Sequence, residues 1–259
     1  MIVAEKAWNT YTDTLRKVSD TAARKFKAYL ETLGDWQSEA VRLQVINYAF
    51  ALATAYGEAS ASLACDMYDA LAEAQGAALP PAEPAPTATY QETATAIQGT
   101  MKQSQTTEVA SGAVDRLVKQ AGADTTLKNA ARDGAEFAWI PVGVTCAFCI
   151  ALASNGWQRV SARSLKNGHA EHIHPHCDCQ YAVRFDGFSD VAGYRPDDYR
   201  DMYYSAELLP GQKPTGENRI NAMRREFYAE NKDAINEQKR DAYARRKELE
   251  SSMAEEIRI

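Results

Sequence analysis

The sequence predicts a mainly α-helical protein with one small α+β unit that has a few short strands. Apolar residues recur at steps of three and four in the first third, four of the five cysteines form two close pairs, and helical spacing returns near the C-terminus. These observations predict a long helical hairpin (1–76), a Pro/Ala-rich linker (77–90), a helical segment (91–141), a zinc-knuckle-like unit (142–188) and a helical tail (189–259).

Length, charge and hydropathy exclude several classes of protein. The 259 residues suffice for one large domain or two modest ones, and the formal net charge of −6 provides no global basic field for nucleic acid. The longest apolar run, YAFALATAY, is far shorter than the roughly 20 residues of a membrane helix. The start, MIVAEKAW, turns polar at Glu5 and does not resemble a signal peptide. We therefore expect a soluble protein that is made in a reducing cytoplasm.

The first third of the chain predicts two long helices. Apolar residues from Tyr11 to Leu33 lie on one face of a helix, and Gly34 ends that pattern. Asp35 is a candidate N-cap for a second helix of about 40 residues, whose apolar stripe is rich in alanine. Antiparallel packing is the simplest arrangement that buries both stripes.

A proline-rich stretch and two shorter helices follow. Gly76–Tyr90 holds four prolines, which prevent helix continuation, so this stretch is either a linker or an extended strap over a surface. Helical spacing then covers Val109–Gln120 and Leu127–Trp139, and Pro141 ends the second of these helices. Beyond Pro141, the alternating run QYAVRF predicts a short strand.

The end of the chain predicts helix again. Tyr199–Leu208 reads as a short helix, and Arg219–Ile259 carries apolar residues at helical steps among many charges. Two interpretations remain open for this tail. It is either a solvated helix held by ion pairs between residues four apart, or a helix that docks on a neighbouring subunit.

The two cysteine pairs have the spacing of a metal site. Cys146 and Cys149 form a C-x2-C pair, and Cys177 and Cys179 are two residues apart, close to all four histidines of the chain. A C-x2-C turn lets two thiolates reach one zinc ion, and further ligands complete the tetrahedron. We predict a structural zinc held by Cys146, Cys149 and Cys177, with either His174 or Cys179 as the fourth ligand.

A catalytic zinc is the alternative interpretation of the same residues. His169-Ala170-Glu171 has the H-x-E form of the zinc deaminases, with Glu171 as general acid/base. The deaminase order is H-x-E before C-x-x-C, whereas here the cysteine pair comes first. A histidine/cysteine nuclease would need a helix after Cys179, where the sequence predicts strand. A closed four-ligand site also leaves no position for water. We therefore expect no enzymatic activity.

The cysteine region resembles the zinc-knuckle-like part of phage minor head proteins of the Mu F type. The motifs TCAFCIALASNGW and HIHPHCDC carry the resemblance, which covers about Trp139–Phe185. The matching residues are Cys146, Cys149, Leu152, Ala153, Ser154, Gly156, His174, Pro175, Cys177 and Cys179. The extra histidines His169 and His172 and the tail beyond Asp186 depart from the family pattern.

The resemblance implies a structural role in the virion. It implies a protein present in several copies per particle, at the portal vertex or inside the capsid, with portal and major capsid proteins as partners and packaged DNA as a further candidate. It implies a structural and not an enzymatic role, and the short apolar runs predict no membrane partner. A zinc-dependent hydrolase of the deaminase or nuclease kind, or an effector delivered with the particle, remains the alternative.

Overall fold

The computed structural model describes the chain from residue 2 to residue 233, except for positions 4, 103–105, 144 and 162–176. Within these residues the protein has seven helices, one antiparallel sheet of three strands and one parallel pair of strands. The predicted fold class, mainly helical with a few short strands and a helix after them, is confirmed. No helix in this part of the chain is long and apolar enough to cross a membrane.

The chain divides into two compact units. The first contains the described residues up to 145 and those from 155 to 196. The second contains residues 146–154 and the described residues from 197 onward. The division into five predicted segments stays a prediction.

Four helices form the body of the first unit. They are α1 (Glu5–Thr32), α2 (Arg42–Ala74), α3 (Tyr90–Lys102) and α4 (Thr107–Asp133). Helix α2 packs against each of the other three, so its small residues line the centre of the body. The largest fully buried side chains of the common core include Phe26, Leu30, Val45, Ile46, Ile97, Val114 and Val118.

Helices α1 and α2 form the predicted antiparallel hairpin. Near the turn, the ring centroids of Tyr29 and Tyr48 are 4.3 Å apart. At the opposite end, Tyr11 near the start of α1 and Met67 near the end of α2 line the same groove. The second helix starts later than predicted, because Gly34–Val41 forms a series of turns and α2 begins only at Arg42. It therefore has 33 residues rather than about 40.

Helix α4 differs from the sequence prediction in two ways: it is continuous where two helices were predicted, and it ends earlier. The two predicted short helices are one continuous helix, and Gly122 near its middle lies directly against Ser60 of α2. The helix ends at Gly134, which adopts a left-handed conformation with φ of 66°. The prediction of helix up to Trp139 is wrong, because residues after Gly134 form a strand.

The proline-rich stretch is a strap that lies across α2 and α4. Residues 77–89 have no helix or strand, and their backbone groups are bound by side chains of the two helices. The N–H groups donate to Asp69 (from Ala82, 2.8 Å), to Asn129 (from Glu83, 2.9 Å) and to Thr125 (from Ala85, 2.9 Å). These bonds satisfy polar groups that a proline-rich chain cannot pair with itself.

The strands of the first unit form two small ladders. In the antiparallel sheet, β2 (Glu136–Ile140) lies between β3 (Gln158–Arg159) and β4 (Gln180–Arg184). Strand β1 (Ile2–Val3) pairs in parallel with β5 (Asp190–Val191). Burial of β2 between two strands overrides the helical spacing that its residues show in the sequence.

Side chains close the edges of the antiparallel sheet. Just past the end of α2, the Gln75 amide accepts from the N–H of Phe185 at 2.8 Å and donates to the carbonyl of Val183 at 3.4 Å. Across the β2–β4 pair, Arg184 binds the carboxylate of Glu136 at 2.6 Å. The guanidinium of Arg184 also lies over the ring of Trp157, 4.7 Å from its centroid. These contacts therefore hold the C-terminal end of β4.

The second unit contains three helices. They are α5 (Ala147–Ala153), α6 (Pro196–Ser205) and α7, which comprises the described helical residues 216–233. The predicted helix at Tyr199–Leu208 corresponds to α6, which begins earlier, at Pro196, and ends earlier, at Ser205. The small apolar cluster of the second unit contains Ala147, Ile150, Ala151, Tyr203, Ala206, Leu208, Ile220, Ala222 and Met223.

Candidate metal centre

Helix α5 carries the first cysteine pair. Cys146 is the N-cap residue, with extended backbone (φ −79°, ψ 162°), and its carbonyl accepts from the N–H of Ile150 at 3.0 Å. Cys149 lies in the first turn and is 1% exposed, whereas Cys146 is exposed. The C-x2-C spacing therefore places one thiol inside the protein and one at its surface.

The second cysteine pair directly precedes β4. Cys177 and Cys179 are both buried, and Asp178 between them has a side chain that is 26% exposed. Residues two apart near a strand point to the same side, and the residue between them points to the other. This alternation predicts that the two thiols share one side of the chain.

Three of the cysteines come together. The Sγ atoms of Cys149, Cys177 and Cys179 all lie within 4.8 Å of one another. A tetrahedral zinc with Zn–S bonds of about 2.3 Å sets its sulfurs about 3.8 Å apart. Three buried thiols at this separation are a soft donor set that fits zinc. These cysteines could hold a metal ion after small side-chain movements.

The structure places the five predicted ligands differently. Cys179, which the sequence left as one of two alternatives, lies in the group of three, and Cys146, which the sequence favoured, lies outside it. His174 lies outside the described residues, as do the other three histidines and Glu171. The full predicted ligand set therefore stays a prediction.

A buried ion cluster beside the second cysteine pair was missed in the sequence. Lys119 of α4 is 2% exposed and Asp115, one turn earlier, is fully buried. The Lys119 ammonium lies 3.0 Å from Asp115 and 3.0 Å from Asp178. The spacing of Asp115 and Lys119 is a recognisable helical ion pair. Nothing in the sequence indicates that the third member is the residue between two cysteines.

The charges in this cluster stabilise one another. Burial by itself would lower the pKa of the Lys119 ammonium, but attraction to Asp115 and Asp178 outweighs burial and raises that pKa above its ordinary value. Lys119 is therefore a cation at neutral pH. Two carboxylates share it, which is the pairing that a buried charge requires.

The described part of the first unit, together with α5 and α6, lies within a region that matches one family model, and α7 lies outside it. The model describes the VG15 protein and matches residues 2–206. The chain belongs to the VG15 protein family. This is a family of viral gene products, and the match includes the strap, the ion cluster and both cysteine pairs. No curated protein and no solved structure matches the chain. The finer resemblance to minor head proteins of the Mu F type stays a prediction for this VG15 protein.

Proposed function

We propose that this VG15-family protein is a structural minor head protein of a tailed phage, located in the virion and stapled by a structural zinc. The observation that carries the proposal is the group of three buried cysteines within the region matched by a viral family. The motif resemblance to phage minor head proteins supports the finer assignment. On this proposal the protein performs no catalysis.

Burial of the thiols favours a structural metal over a catalytic one. Cys149 is 1% exposed, and Cys177 and Cys179 are 4% exposed. A catalytic zinc keeps one position open to water and substrate, whereas a structural zinc has all four positions filled by protein. Glu171, which the hydrolase alternative needs, lies outside the described residues, so that alternative stays a prediction.

The partners that we propose are portal and major capsid proteins, with packaged DNA as a further candidate and no membrane. The second unit supports a protein partner, because it exposes large apolar side chains. Met202 and Tyr204 on α6, Leu209 after it and Phe227 on α7 are each more than half exposed. Exposed aromatic and Met side chains are typical of protein interfaces. Phe227 is the member of this set that lies in the tail, and its exposure supports the docking interpretation for the described part of the tail.

Metal content tests the zinc part of the proposal. We expect about one zinc per chain in protein purified without added metal, measured by elemental mass spectrometry. Cys177→Ser should lose the metal and lower the melting temperature. Cys65→Ser is the matched control, because Cys65 lies on α2, outside the cysteine group. This variant should keep the bound metal and the melting temperature of the wild type. A wild-type protein without any bound metal would contradict the zinc staple.

Binding to phage portal and capsid proteins tests the proposed location in the virion. We expect the protein to bind the portal protein encoded by the same phage at micromolar concentration, detected by sedimentation of the mixture. Phe227→Ser should weaken this binding if the exposed face of α7 docks on the partner. Absence of association with portal and capsid proteins would refute the partner proposal. Growth inhibition on expression in the host would instead favour the effector alternative.

A further inference from the structure

We propose that Lys119 is a positioning residue that orients the Cys177 and Cys179 thiols by holding Asp178 against α4. This inference rests on the proposed metal site. It concerns α4 and β4 of the first unit, and it assigns a role to a buried ion cluster that the cysteines alone do not explain.

The cost of burying the cluster indicates a specific role. Lys119 is 2% exposed and Asp115 is fully buried, so both charges are removed from water. A buried ion pair is weak evidence for stability, since apolar residues of similar volume often stabilise a core equally well. Fixing one arrangement of the chain is a role that apolar contacts perform less well, because hydrogen bonds to an ion have defined directions.

The contacts of Lys119 lead directly to the cysteine pair. Its Nζ atom donates to Asp115 Oδ2 at 3.1 Å within α4 and to Asp178 Oδ1 at 3.0 Å. The first contact anchors the ammonium to the helix, and the second fixes the residue between Cys177 and Cys179. Because successive side chains point to opposite sides, holding Asp178 against α4 sets the direction of both thiols.

Asp178 lies between Cys177 and Cys179 in the chain, so its contact with Lys119 acts on both thiols through the backbone, as do groups that support metal ligands without binding the ion. Such groups orient the ligands, and their loss typically lowers metal affinity by about 10- to 100-fold. The strand after Cys179 is already held by its ladder with β2 and by Gln75. Asp178 restrains Cys177 and Cys179, which precede this ladder in the chain.

Two variants separate positioning from charge. Asp178→Ala and Asp178→Asn both remove the carboxylate charge, but only Asn keeps an oxygen that can accept from Lys119. We would measure Co²⁺ affinity from the thiolate absorption bands and Zn²⁺ affinity by competition. We expect Asp178→Ala to weaken binding by about 10- to 100-fold and Asp178→Asn to weaken it much less. Equal losses in both variants would show that charge matters and would overturn the positioning role.

A second readout needs no metal. In metal-free protein, we would follow iodoacetamide labelling of Cys177 and Cys179 by peptide mass spectrometry, with Cys65 as internal reference. We expect faster labelling of both cysteines in Asp178→Ala than in Asp178→Asn or the wild type. Unchanged rates would overturn the proposal. If the wild type binds no metal but the labelling rates differ as expected, the metal proposal fails and the positioning of the thiols stands.

Discussion

Asn129 of α4 holds the strap, and replacing it with alanine should destabilise the protein by about 2–3 kcal/mol. Its side chain is 1% exposed and pairs with one residue of the strap through both ends of the amide. The N–H of Glu83 donates to Asn129 Oδ1 at 2.9 Å, and Asn129 Nδ2 donates to the carbonyl of Glu83 at 2.9 Å. Asn129→Ala removes both bonds at once.

The magnitude follows from those two bonds and two smaller effects. Each neutral hydrogen bond contributes about 1 kcal/mol, and a backbone group left without a partner costs about 1–3 kcal/mol when buried. Glu83 is exposed, so water can replace part of the loss and the lower end of that range applies. Alanine also has a helix propensity more favourable than asparagine by about 0.6 kcal/mol, which offsets part of the cost.

Urea unfolding of the full chain measures the change, and Lys128→Ala is the matched control. Lys128 reaches the same strap, with its ammonium 3.4 Å from the Glu83 carboxylate, but its side chain is 46% exposed. An exposed ion pair contributes less than about 1 kcal/mol, so this variant should unfold close to the wild type. Equal stabilities of the two variants would refute the view that Asn129 anchors the strap.

Two further predictions concern helix contacts and acid stability. Gly122→Ala should destabilise the protein by about 1–3 kcal/mol in thermal unfolding, since overpacking forces helices apart. A Cβ there would lie 2.7 Å from the Ser60 hydroxyl and 3.2 Å from its carbonyl oxygen. Gly99→Ala is the control. No atom lies within 4 Å of a Cβ at that position, so this variant should stabilise the protein by about 0.5–1 kcal/mol. For Asp133, the hydrogen bond from Arg132 is the main cause of a lowered pKa. Its stabilising contribution is therefore complete above the unfolded pKa of about 3.9 and is lost as pH falls through the lower folded value. The melting temperatures of wild type and Asp133→Asn should converge in acid, and a gap independent of pH would contradict this reasoning.

The helical body could be predicted from the sequence because its signal is local. The stripe from Tyr11 to Leu33 repeats at the helical period, and the helix that carries it buries residues of that stripe, such as Leu15 and Phe26. The start of α2 could not be predicted in the same way. Asp35 is a good N-cap type, but turns occupy the chain from Gly34 to Val41. Competing turn geometry therefore decided the boundary.

The strand β2 could not be predicted because the residues that fix it are distant in the chain. The residues of Glu136–Ile140 continue the helical spacing of α4, and the left-handed Gly134 interrupts that helix. The strand is then fixed by its partner β4, where Phe137 pairs with Val183 and Trp139 with Tyr181. Pairing over more than 40 residues overrides a local preference.

The two parts of the candidate site also differ in whether a local sequence pattern indicates them. The cysteine pairs were visible because metal ligands follow spacing rules, and Cys177 and Cys179 are close in the chain. The Lys119–Asp178 contact joins residues 59 apart, and no periodicity connects them. A buried lysine in a helix is chemically unusual, since it needs a partner that removes the cost of burial. An aspartate between two metal-type cysteines is such a partner. A search for sites should therefore pair buried helical lysines with acidic residues that flank predicted ligands, because the contacts that orient a ligand set are the ones that its spacing does not reveal.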